Sequence, residues 1–498
     1  MECLLESDWI PVRSRDGMTV RRIGLRQLLT EDHPWSVSLS RDDMEVAAIQ
    51  LLICLVQTIL LPENRKVLRE RVASPITPES FDSAAASYRD WFRLDHPATP
   101  FMQSRGVSAK DPTPIQKLFV GLPEGNNHAF FNDAGEIHAV CPGCAAIALF
   151  NQASNCPSFG GGFKGGLRGG APVTTLVAGT NLRETVWLNV LSAEERDRIY
   201  RDATQCIPNW VEPLVAGKTI PAADIGLERG LLWQPARLEL VESEVGQSCD
   251  ACGLPTSRVY TAFNKEKFNY TVEGLWHHPH SPRLWDLKKG ERARDRYLSF
   301  TTMAPAWTWM NHYLLQREQH AGGGRQPAQV VTQFLDVFER ALSARERRFA
   351  MIVAGYRVNQ AAVLERRHEL YSLPMDWRIS ERQVQRAINE ALRVKDELRR
   401  KTYGFAKECG AAVYPLAEQH FYQATGHRLH ELLRQMDRRE ARMAVDEFIC
   451  ALHRIARRLF DELTAPYRHS VDGMTAYAKF RRALDVALRE SESKEKVV

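Results

Sequence analysis

The spacing of hydrophobic residues in the last quarter of the chain is helical. In residues 439–463 the apolar positions lie three or four residues apart: Val445, Phe448, Leu452, Ile455 and Leu459. This spacing places one apolar stripe along a helix, and Pro466 follows as an end signal. Shorter stripes of the same kind lie within residues 384–392, 429–433 and 477–488. Four amphipathic helices joined by short turns predict a C-terminal four-helix bundle over residues 378–498.

Before residue 370 the pattern mixes strand-like and helical segments. Short strand-like runs at residues 9–12 and 19–23 flank a turn signal. Two runs rich in aromatic and β-branched residues, 258–263 and 268–272, flank a charged tetrapeptide and predict a hairpin. We therefore predict an α+β fold, in which a large mixed N-terminal domain, residues 1–370, precedes the helical bundle.

Length and composition are those of an ordinary globular protein. The 498 residues are 44% hydrophobic and 26% charged, and such a chain exceeds the size at which one core usually stops growing. The most apolar run, residues 44–61, is interrupted by Glu45, Gln50 and Gln57, so it predicts a buried helix and no membrane span. Residues 1–9 carry acidic side chains where a signal peptide has basic ones, and we expect a cytoplasmic protein.

The net charge of +5 is concentrated near the C-terminal end. Residues 378–498 contain 24 Lys and Arg against 18 Asp and Glu, an excess of +6, whereas the preceding residues contain 42 against 43, or −1. Part of the excess lies on one predicted helix, as Arg454, Arg457 and Arg458. Such residues form either a solvated helix face or a surface for DNA or a neighbouring subunit, and the sequence leaves both interpretations open.

Four of the ten cysteines form two pairs of equal spacing, Cys141-Pro-Gly-Cys144 and Cys249-Asp-Ala-Cys252. In a cytosolic protein such pairs more often hold a metal than a disulfide, because each turn presents two thiolates to one tetrahedral ion. A redox site of the thioredoxin type would use a single pair in a βαβ setting, which the pattern lacks. We therefore predict a structural Zn²⁺ site formed by Cys141, Cys144, Cys249 and Cys252.

A glycine-rich segment follows the first cysteine pair. The sequence Ser158-Phe-Gly-Gly-Gly-Phe-Lys-Gly-Gly-Leu-Arg-Gly-Gly170 contains seven glycines and two cations, Lys164 and Arg168. A backbone without β-carbons can lie close against another polymer, and the two cations suggest that this polymer is anionic. A nucleotide-binding Walker loop does not fit, because Lys164 is followed by Gly165 instead of Ser or Thr. A flexible surface loop is the alternative interpretation.

The sequence lacks the common signatures of hydrolytic enzymes. It contains no HExxH motif, no GxSxG motif and no paired carboxylates typical of a nuclease. Four thiolates would also close the coordination sphere of the metal and leave no open position for catalysis. We do not expect an enzyme. Two alternatives stay open, a zinc-dependent nucleic-acid-processing enzyme and a zinc scaffold without a nucleic-acid role.

Ten segments spread along the chain form a specific set of motifs. They are Trp9-Ile-Pro-Val-Arg13, Ser40-Arg-Asp-Asp-Met-Glu45, Phe150-Asn-Gln-Ala153, Phe159–Gly170, Gly230-Leu-Leu-Trp-Gln-Pro-Ala236, Lys265-Glu-Lys-Phe268, Gly274-Leu-Trp276, His280-Ser-Pro282, Gly355-Tyr-Arg-Val-Asn-Gln-Ala361 and Leu364-Glu-Arg-Arg-His368. Together they resemble the CasA family, the large subunits of the type I-E CRISPR surveillance complex called Cascade. The match runs in register from the first residues into the predicted bundle.

The resemblance implies a non-catalytic subunit that inspects DNA. CasA-like subunits sit at the 5′ end of the crRNA, recognise a protospacer-adjacent motif (PAM) in duplex DNA and begin the unwinding that leads to an R-loop. They also help to recruit a helicase-nuclease in antiviral defence. The implied partners are crRNA, double-stranded target DNA, the backbone, small and 5′-handle-binding subunits of Cascade, and the helicase-nuclease, with no membrane.

The resemblance also assigns roles to residues, and residues 1–370 become a PAM-recognition domain. DNA and PAM binding fall on Gly160, Gly161, Gly162, Lys267, Lys288, Lys289, Asn359 and Gln360. Docking on the crRNA handle falls on Phe130 and Asn132. Among these residues, Gly161 is the centre of the family's glycine loop, Lys267 is its lysine finger and Gln360 is its glutamine wedge.

Overall fold

The chain divides into two compact units in the computed structural model. The first comprises residues 1–301, 312–341 and 350–370, and the second comprises residues 302–311, 342–349 and 371–498. The structure describes residues 2–122, 136–288, 291–315, 317–320, 323–338, 348–359, 362–375, 381–436 and 441–494. Among these residues, no helix has the length and apolarity that a bilayer crossing requires.

Strands and helices alternate irregularly in the first unit, and long helices follow in the second. The strands are β1 Asp8–Arg13, β2 Val20–Gly24, β3 Ser36–Val37, β4 Thr113–Pro114, β5 Thr174–Ala178, β6 Thr219–Pro221, β7 Arg237–Leu240, β8 Glu244–Val245, β9 Arg258–Val259, β10 Ala262–Glu266, β11 Thr271–Glu273, β12 Arg283–Lys288, β13 Glu291–Tyr297, β14 Arg317–His320, β15 Gly323–Gln326, β16 Arg348–Asn359 and β17 Ala362–Pro374. The helices are α1 Leu25–Thr30, α2 Asp42–Ile59, α3 Arg65–Ala73, α4 Pro78–Ala85, α5 Pro142–Ser154, α6 Leu182–Leu188, α7 Ala193–Ile199, α8 Leu227–Leu231, α9 Met310–Leu314, α10 Gln329–Phe338, α11 Glu381–Cys409, α12 Tyr414–Gln435, α13 Ala441–Thr464 and α14 Val471–Lys494.

Two buried helices form the centre of the first unit. Helix α2 packs against α5, and both are apolar on nearly all sides. Asp42, Asp43 and Glu45 lie in the first turn of α2, where carboxylates interact favourably with the helix dipole. Strand β1 also packs against α5 and pairs antiparallel with β2 and β3. The predicted strands and long helix in this region therefore agree with the structure.

Strand β10 belongs to a small sheet in the order β4-β10-β7. Its residues Phe263 to Glu266 pair antiparallel with β7, and Ala262 and Phe263 pair with β4. The predicted hairpin at residues 258–272 is therefore wrong, because the charged tetrapeptide continues a strand and β11 pairs with β6 instead. Residues 237–240 provide the backbone partners of β10, and they are too distant in sequence for a local pattern to indicate this pairing.

Strands β5, β16 and β17 form a second sheet that is relevant to the site, in the order β17-β16-β5. Residues Ala350 to Ala354 of β16 pair antiparallel with β5. Strand β16 ends at Asn359 and β17 begins at Ala362. Asn359 is therefore the last residue of β16, and Gln360, which follows it in sequence, lies outside the described residues.

The second unit contains the four long helices. Helices α11 and α13 contact each other, and each of them also packs against α12 and α14. Most of the predicted apolar positions are buried, including Val445, Phe448, Leu452 and Leu459 of α13. The mixed α/β class with a helical C-terminal region is confirmed. The up-and-down topology of a four-helix bundle stays a prediction.

The basic cluster on α13 is partly neutralised within the second unit. Arg457 Nε lies 2.7 Å from Asp485 Oδ1, and Arg458 Nε lies 3.5 Å from Glu462 Oε1. Arg454 is exposed. Arg457 is thus primarily a residue that joins α13 to α14, and Arg454 and Arg458 keep more of the charge at the surface.

Gly143, in the first turn of α5, allows the start of this helix to touch β1. A β-carbon at this position would lie 2.4 Å from the carbonyl oxygen of Trp9 and 2.9 Å from its β-carbon. The Trp9 side chain is buried, and its indole nitrogen donates a 2.7 Å hydrogen bond to the Leu4 carbonyl. The backbone at Trp9 is therefore held on both sides and has little room to move.

We predict that Gly143→Ala destabilises the protein although alanine is the better helix former. Alanine normally stabilises a helix by about 1 kcal/mol relative to glycine, but steric overlap of this kind costs about 1–3 kcal/mol and the site has little room to relax. The free energy of unfolding in urea should therefore fall. Gly170→Ala is the control, because a β-carbon there meets no atom within 4 Å. Equal stability of the two variants would contradict this prediction.

Candidate functional site

Three consecutive glycines form a tight, exposed turn, which we call the glycine turn. Gly160, Gly161 and Gly162 have φ angles of +75°, +55° and +91°. The Phe163 amide closes the turn by donating a 3.0 Å hydrogen bond to the Gly160 carbonyl. Because left-handed backbone costs other residues roughly 1–2 kcal/mol each, only glycine suits all three positions. A β-carbon at Gly161 would point into open space.

The residues on either side of the glycine turn pack on strand β10. The rings of Phe159 and Phe163 meet edge-on with centroids 5.5 Å apart, and Phe159 also lies 5.9 Å from Phe263 of β10. Lys265 Nζ lies 5.0 Å from the centroid of Phe159, and Lys267 Nζ lies 5.9 Å from that of Phe163. The three rings, which we call the aromatic platform, thus fix the turn against a row of alternate strand residues.

Lys267 lies next to the glycine turn. It is exposed and follows the last residue of β10, Glu266. A β-carbon at Gly162 would lie 3.6 Å from Lys267 Nζ, so the ammonium group is directly beside the bare backbone. The fold therefore brings Gly160, Gly161, Gly162 and Lys267 into one surface, although more than a hundred residues separate them in sequence.

Arg168 is not available for an anionic polymer, contrary to the sequence prediction. It is 5% exposed, and both terminal nitrogens of its guanidinium are hydrogen bonded within the protein. One donates to Thr174 Oγ1 at 2.9 Å and to Ser281 Oγ at 2.7 Å, and the other donates to Ser154 and Asn155. Burial lowers the pKa of Arg168 to about 10, so the group keeps its charge near neutral pH. Lys164 is the exposed cation of the segment.

Asn155 connects Arg168 to a second group of buried polar side chains. Its amide donates to Asn151 Oδ1 at 3.0 Å, and the Asn151 amide donates to the Tyr356 hydroxyl at 2.9 Å. That hydroxyl donates to Asp43 Oδ2 at 2.9 Å. Burial raises the pKa of Tyr356, so the phenol stays protonated and can make this bond.

The same group of side chains reaches the start of α2. Arg41 binds the Asp43 carboxylate through two nitrogens, at 2.7 and 3.0 Å, and donates to the Val120 carbonyl at 2.7 Å. Arg366 of β17 lies 3.3 Å from Asp42. The hydrogen bonds thus join α2, α5, β16, β17 and the end of the glycine-rich segment.

A small apolar cluster places the strand ends near the glycine-rich segment. Cys156 and Ala171, which flank that segment, pack with Tyr356 of β16. Val358 and Val363, near the facing ends of β16 and β17, pack on the same cluster. Asn359 is exposed at the end of β16. Its position relative to the glycine turn is therefore set by these shared contacts.

The remaining predicted DNA and RNA residues are only partly described. Lys288 is the last residue of β12 and is in register with Glu291 of β13. Lys289, Gln360, Phe130 and Asn132 lie outside the described residues. Their roles stay predictions.

The four cysteines of the two pairs come together, as predicted from their spacing. Their sulfur atoms all lie within 4.8 Å of one another. Cys141, Cys144 and Cys249 are buried, and Cys252 is partly exposed. Asp250 also joins the two pairs, because its carboxylate accepts hydrogen bonds of 2.8 Å from the amides of His138 and Ala139, just before Cys141.

The surroundings of the cysteines fit a metal ion. Hydrogen bonds from the thiols of Cys141 and Cys144 lower the pKa of Cys252 and lower that of Cys249 to about 7. Arg22 Nη2 also donates to Cys252 Sγ at 3.1 Å, and such outer donors commonly support metal-bound sulfur. A tetrahedral ion with metal–sulfur bonds of about 2.3 Å needs sulfurs about 3.8 Å apart, a separation compatible with the 4.8 Å limit within which these four lie.

A known protein family matches nearly the whole chain. The family model for CRISPR-associated protein Cse1 matches residues 4–463. The chain belongs to the CRISPR-associated Cse1 family. The resemblance to CasA subunits is therefore confirmed, because CasA and Cse1 name the same kind of protein in the relative described next.

Several proteins of known sequence or structure are similar to this chain along most of their length. A CasA/Cse1 protein of Thermus thermophilus is 24% identical over 427 residues, which are 82% of this chain and 78% of the relative. The crystal structure of Thermobifida fusca Cse1 is 19% identical, with a TM-score of 0.75 and 98% of both chains covered. A chain of a solved CRISPR RNA-guided surveillance complex is 14% identical, with a TM-score of 0.66, covering 97% of this chain and 99% of that one. The chain therefore has the Cse1 fold.

Sequence reasoning missed the residues that support the site. It assigned roles to the glycines and to Lys267, but none to the aromatic platform or to Lys265. The signal was present in the alternation of Phe263, Lys265 and Lys267, since alternate residues of a strand share one face. The predicted hairpin placed residues 264–267 in a turn, so this alternation was not interpreted as one face of a strand.

We predict that Arg168→Lys destabilises the first unit. A lysine keeps the charge but has no planar fork, so some buried acceptors among Thr174, Ser281, Ser154 and Asn155 lose their donor. Each buried polar group without a partner costs about 1–3 kcal/mol, and the free energy of unfolding in urea should fall by about 2 kcal/mol or more. Lys164→Arg, at an exposed position of the same segment, is the control. An unchanged unfolding curve for Arg168→Lys would show that this hydrogen bonding is dispensable.

Proposed function

We propose that this chain is the large subunit of a crRNA-guided surveillance complex and recognises a PAM in duplex DNA through the minor groove. It then starts the strand separation that leads to an R-loop and helps to recruit a helicase-nuclease for antiviral defence. Membership of the Cse1 family supports this proposal, as does the fold shared with a chain of a CRISPR RNA-guided surveillance complex. The subunit itself is proposed to be non-catalytic.

The observation that carries the proposal is the bare glycine turn beside the Lys267 ammonium group. The minor groove is about 6 Å wide, so a backbone without side chains at its tip can approach base edges there. A lysine at the same point can donate to the N3 and O2 acceptors, which A·T and T·A pairs present alike. Such recognition is degenerate, and we expect the subunit to accept several PAMs while guide pairing supplies sequence specificity.

Strand separation is assigned to Gln360, with Asn359 beside it. A side chain inserted between base steps costs a few kcal/mol of unstacking, which backbone contacts and the growing heteroduplex offset. Asn359 is exposed at the end of β16, which is consistent with contact to DNA. The shared packing of this strand end and the glycine-rich segment supports a role for both in one site.

We propose that Cys141, Cys144, Cys249 and Cys252 hold one structural Zn²⁺. Four thiolates satisfy the tetrahedral preference of zinc and leave no open position for a catalytic water. When bound, the ion would contribute folding energy by fixing the first turn of α5 to the loop before β9. Both segments lead directly to elements of the candidate site, α5 to the glycine turn and β9 to β10.

Metal analysis tests the zinc proposal. Purified protein should contain about one zinc per chain, and Cys144→Ser should lose the metal and unfold at a lower urea concentration. Chelation of the wild-type protein should lower its stability in the same way. Cys206→Ser is the control, because Cys206 is exposed and belongs to neither pair. A metal-free protein of full stability would contradict the proposal.

PAM recognition and DNA strand separation can be tested separately in the crRNA-containing complex reconstituted with this subunit. Gly161→Asp should reduce capture of PAM-bearing duplex, because a side chain at the tip keeps the backbone out of the groove and its charge is repelled by phosphate. Lys267→Met should reduce capture by removing the donor to the base edges. Gln360→Ala should instead slow strand separation, because a wedge acts after the first contact.

The measurement compares binding to two duplexes that carry the same PAM. One is fully paired, and the other has a pre-melted bubble over the first target positions. The bubble should restore binding to the Gln360→Ala complex and not to the Gly161→Asp complex. Equal rescue of both variants, or of neither, would remove the wedge role. A complex that binds PAM-bearing and PAM-lacking duplexes equally, with or without this subunit, would contradict PAM recognition itself.

A further inference from the structure

We propose that Lys265, assisted by Lys117, binds a backbone phosphate beside the groove that the glycine turn approaches. The proposal rests on the proposed DNA-binding function and adds a second kind of contact to it. Lys267 would read base edges, whereas Lys265 would hold the sugar-phosphate backbone without regard to sequence. Such contacts position a protein on DNA and contribute much of its affinity.

Lys265 lies on the same face of β10 as the residues that support the glycine turn. Phe263, Lys265 and Lys267 are alternate residues of the strand and its immediate extension, so they lie on one face. Two residues of a strand span about 6.6 Å, which is close to the minor-groove width of about 6 Å. A cation at this distance from a finger inside the groove is suitably placed for phosphates at the groove edge.

The Lys265 side chain lies against Phe159 of the aromatic platform. The ammonium lies 5.0 Å from the ring centroid, and the side chain is half-buried. Burial lowers the pKa of Lys265 because the charged form loses solvation. A lysine fixed in this way loses less side-chain entropy on binding than a free one, and its charge is poorly solvated until an anion arrives.

The charges around Lys265 favour an anion. Its neighbour Glu266 is engaged by Arg237, whose Nη1 lies 3.0 Å from the Glu266 carboxylate. Within the described part of the chain, no carboxylate forms an ion pair with Lys265. Lys265 lies close enough to a second cation for its charge to lower the pKa of that group, and a bound phosphate would offset this repulsion.

That second cation is Lys117, which follows β4 in a 3-10 helix at Ile115–Leu118. Strand β4 pairs with β10, and the Ile115 amide donates a 2.8 Å hydrogen bond to the Thr261 carbonyl. The pKa of Lys117 is lowered by burial and by the charge of Lys265. The pairing of β4 with β10 therefore keeps Lys117 near enough to Lys265 for the two charges to interact.

The test measures DNA binding by the reconstituted complex at several salt concentrations. Four full-length variants are compared with wild type: Lys265→Met, Lys265→Arg, Lys267→Met and Lys66→Met. Methionine keeps most of the apolar stem and removes the charge, whereas arginine keeps the charge. Lys66 is the control, because it lies exposed on α3, which packs against α6 and α10.

Lys265→Met should weaken binding to PAM-bearing and PAM-lacking duplexes by the same factor, roughly three- to tenfold at low salt. The slope of log Kd against log salt should fall by about 1, because one phosphate contact is lost. Lys265→Arg and Lys66→Met should behave like wild type. Lys267→Met should mainly reduce the ratio between the two duplexes.

Three outcomes would overturn the proposal. An unchanged affinity and salt slope for Lys265→Met would exclude a phosphate contact, and a changed PAM ratio would make Lys265 a base reader. Weaker assembly of the complex in the absence of DNA would assign Lys265 to a partner protein. Lys117→Met provides a second charge deletion if Lys265→Met does not fold. Loss of PAM preference in the wild-type complex would contradict the proposed function and still leave the phosphate contact measurable on either duplex.

Discussion

The geometry of the candidate site depends on the hydrogen bonds that the buried guanidinium of Arg168 donates. Placing a charge inside a protein is costly unless hydrogen bonds to water are replaced, and here hydroxyl, amide and carbonyl oxygens accept hydrogen bonds from both terminal nitrogens of the guanidinium. These acceptors lie on α5, on β5 and on the loop that contains Ser281. The end of the glycine-rich segment is therefore held at one position relative to three other parts of the first unit.

This anchoring allows the tip of the segment to be bare. A run of glycines by itself has high conformational entropy and would not hold one shape. In this protein the aromatic platform fixes one side of the glycine turn and Arg168 fixes the other, so the exposed backbone is short. The site thus combines a rigid base with a tip that carries no side chains, an arrangement suited to contact inside a narrow groove.

The cysteine cluster also anchors one part of the chain to another, over a longer separation in sequence. Closing a loop of about a hundred residues, from Cys144 to Cys249, costs entropy that local contacts cannot recover, and a metal ion would offset this cost at one point. The segments it would join continue into α5 and toward β10. The glycine turn and Lys267 belong to these two parts of the chain, so their proximity depends on that junction and on the packing between them.

The amino-acid sequence by itself determined the elements with a strong local period and the chemistry of the motifs. The long helices, the strands at β1 and β2, the grouping of the four cysteines and the family membership followed from it. Only the tertiary structure decided how Arg168 is used and where β10 pairs, since both depend on residues far away in the chain. A cation looks the same in the sequence whether it is buried or exposed. Its partners, such as Ser281 for Arg168 or Phe159 for Lys265, exist only once the chain has folded.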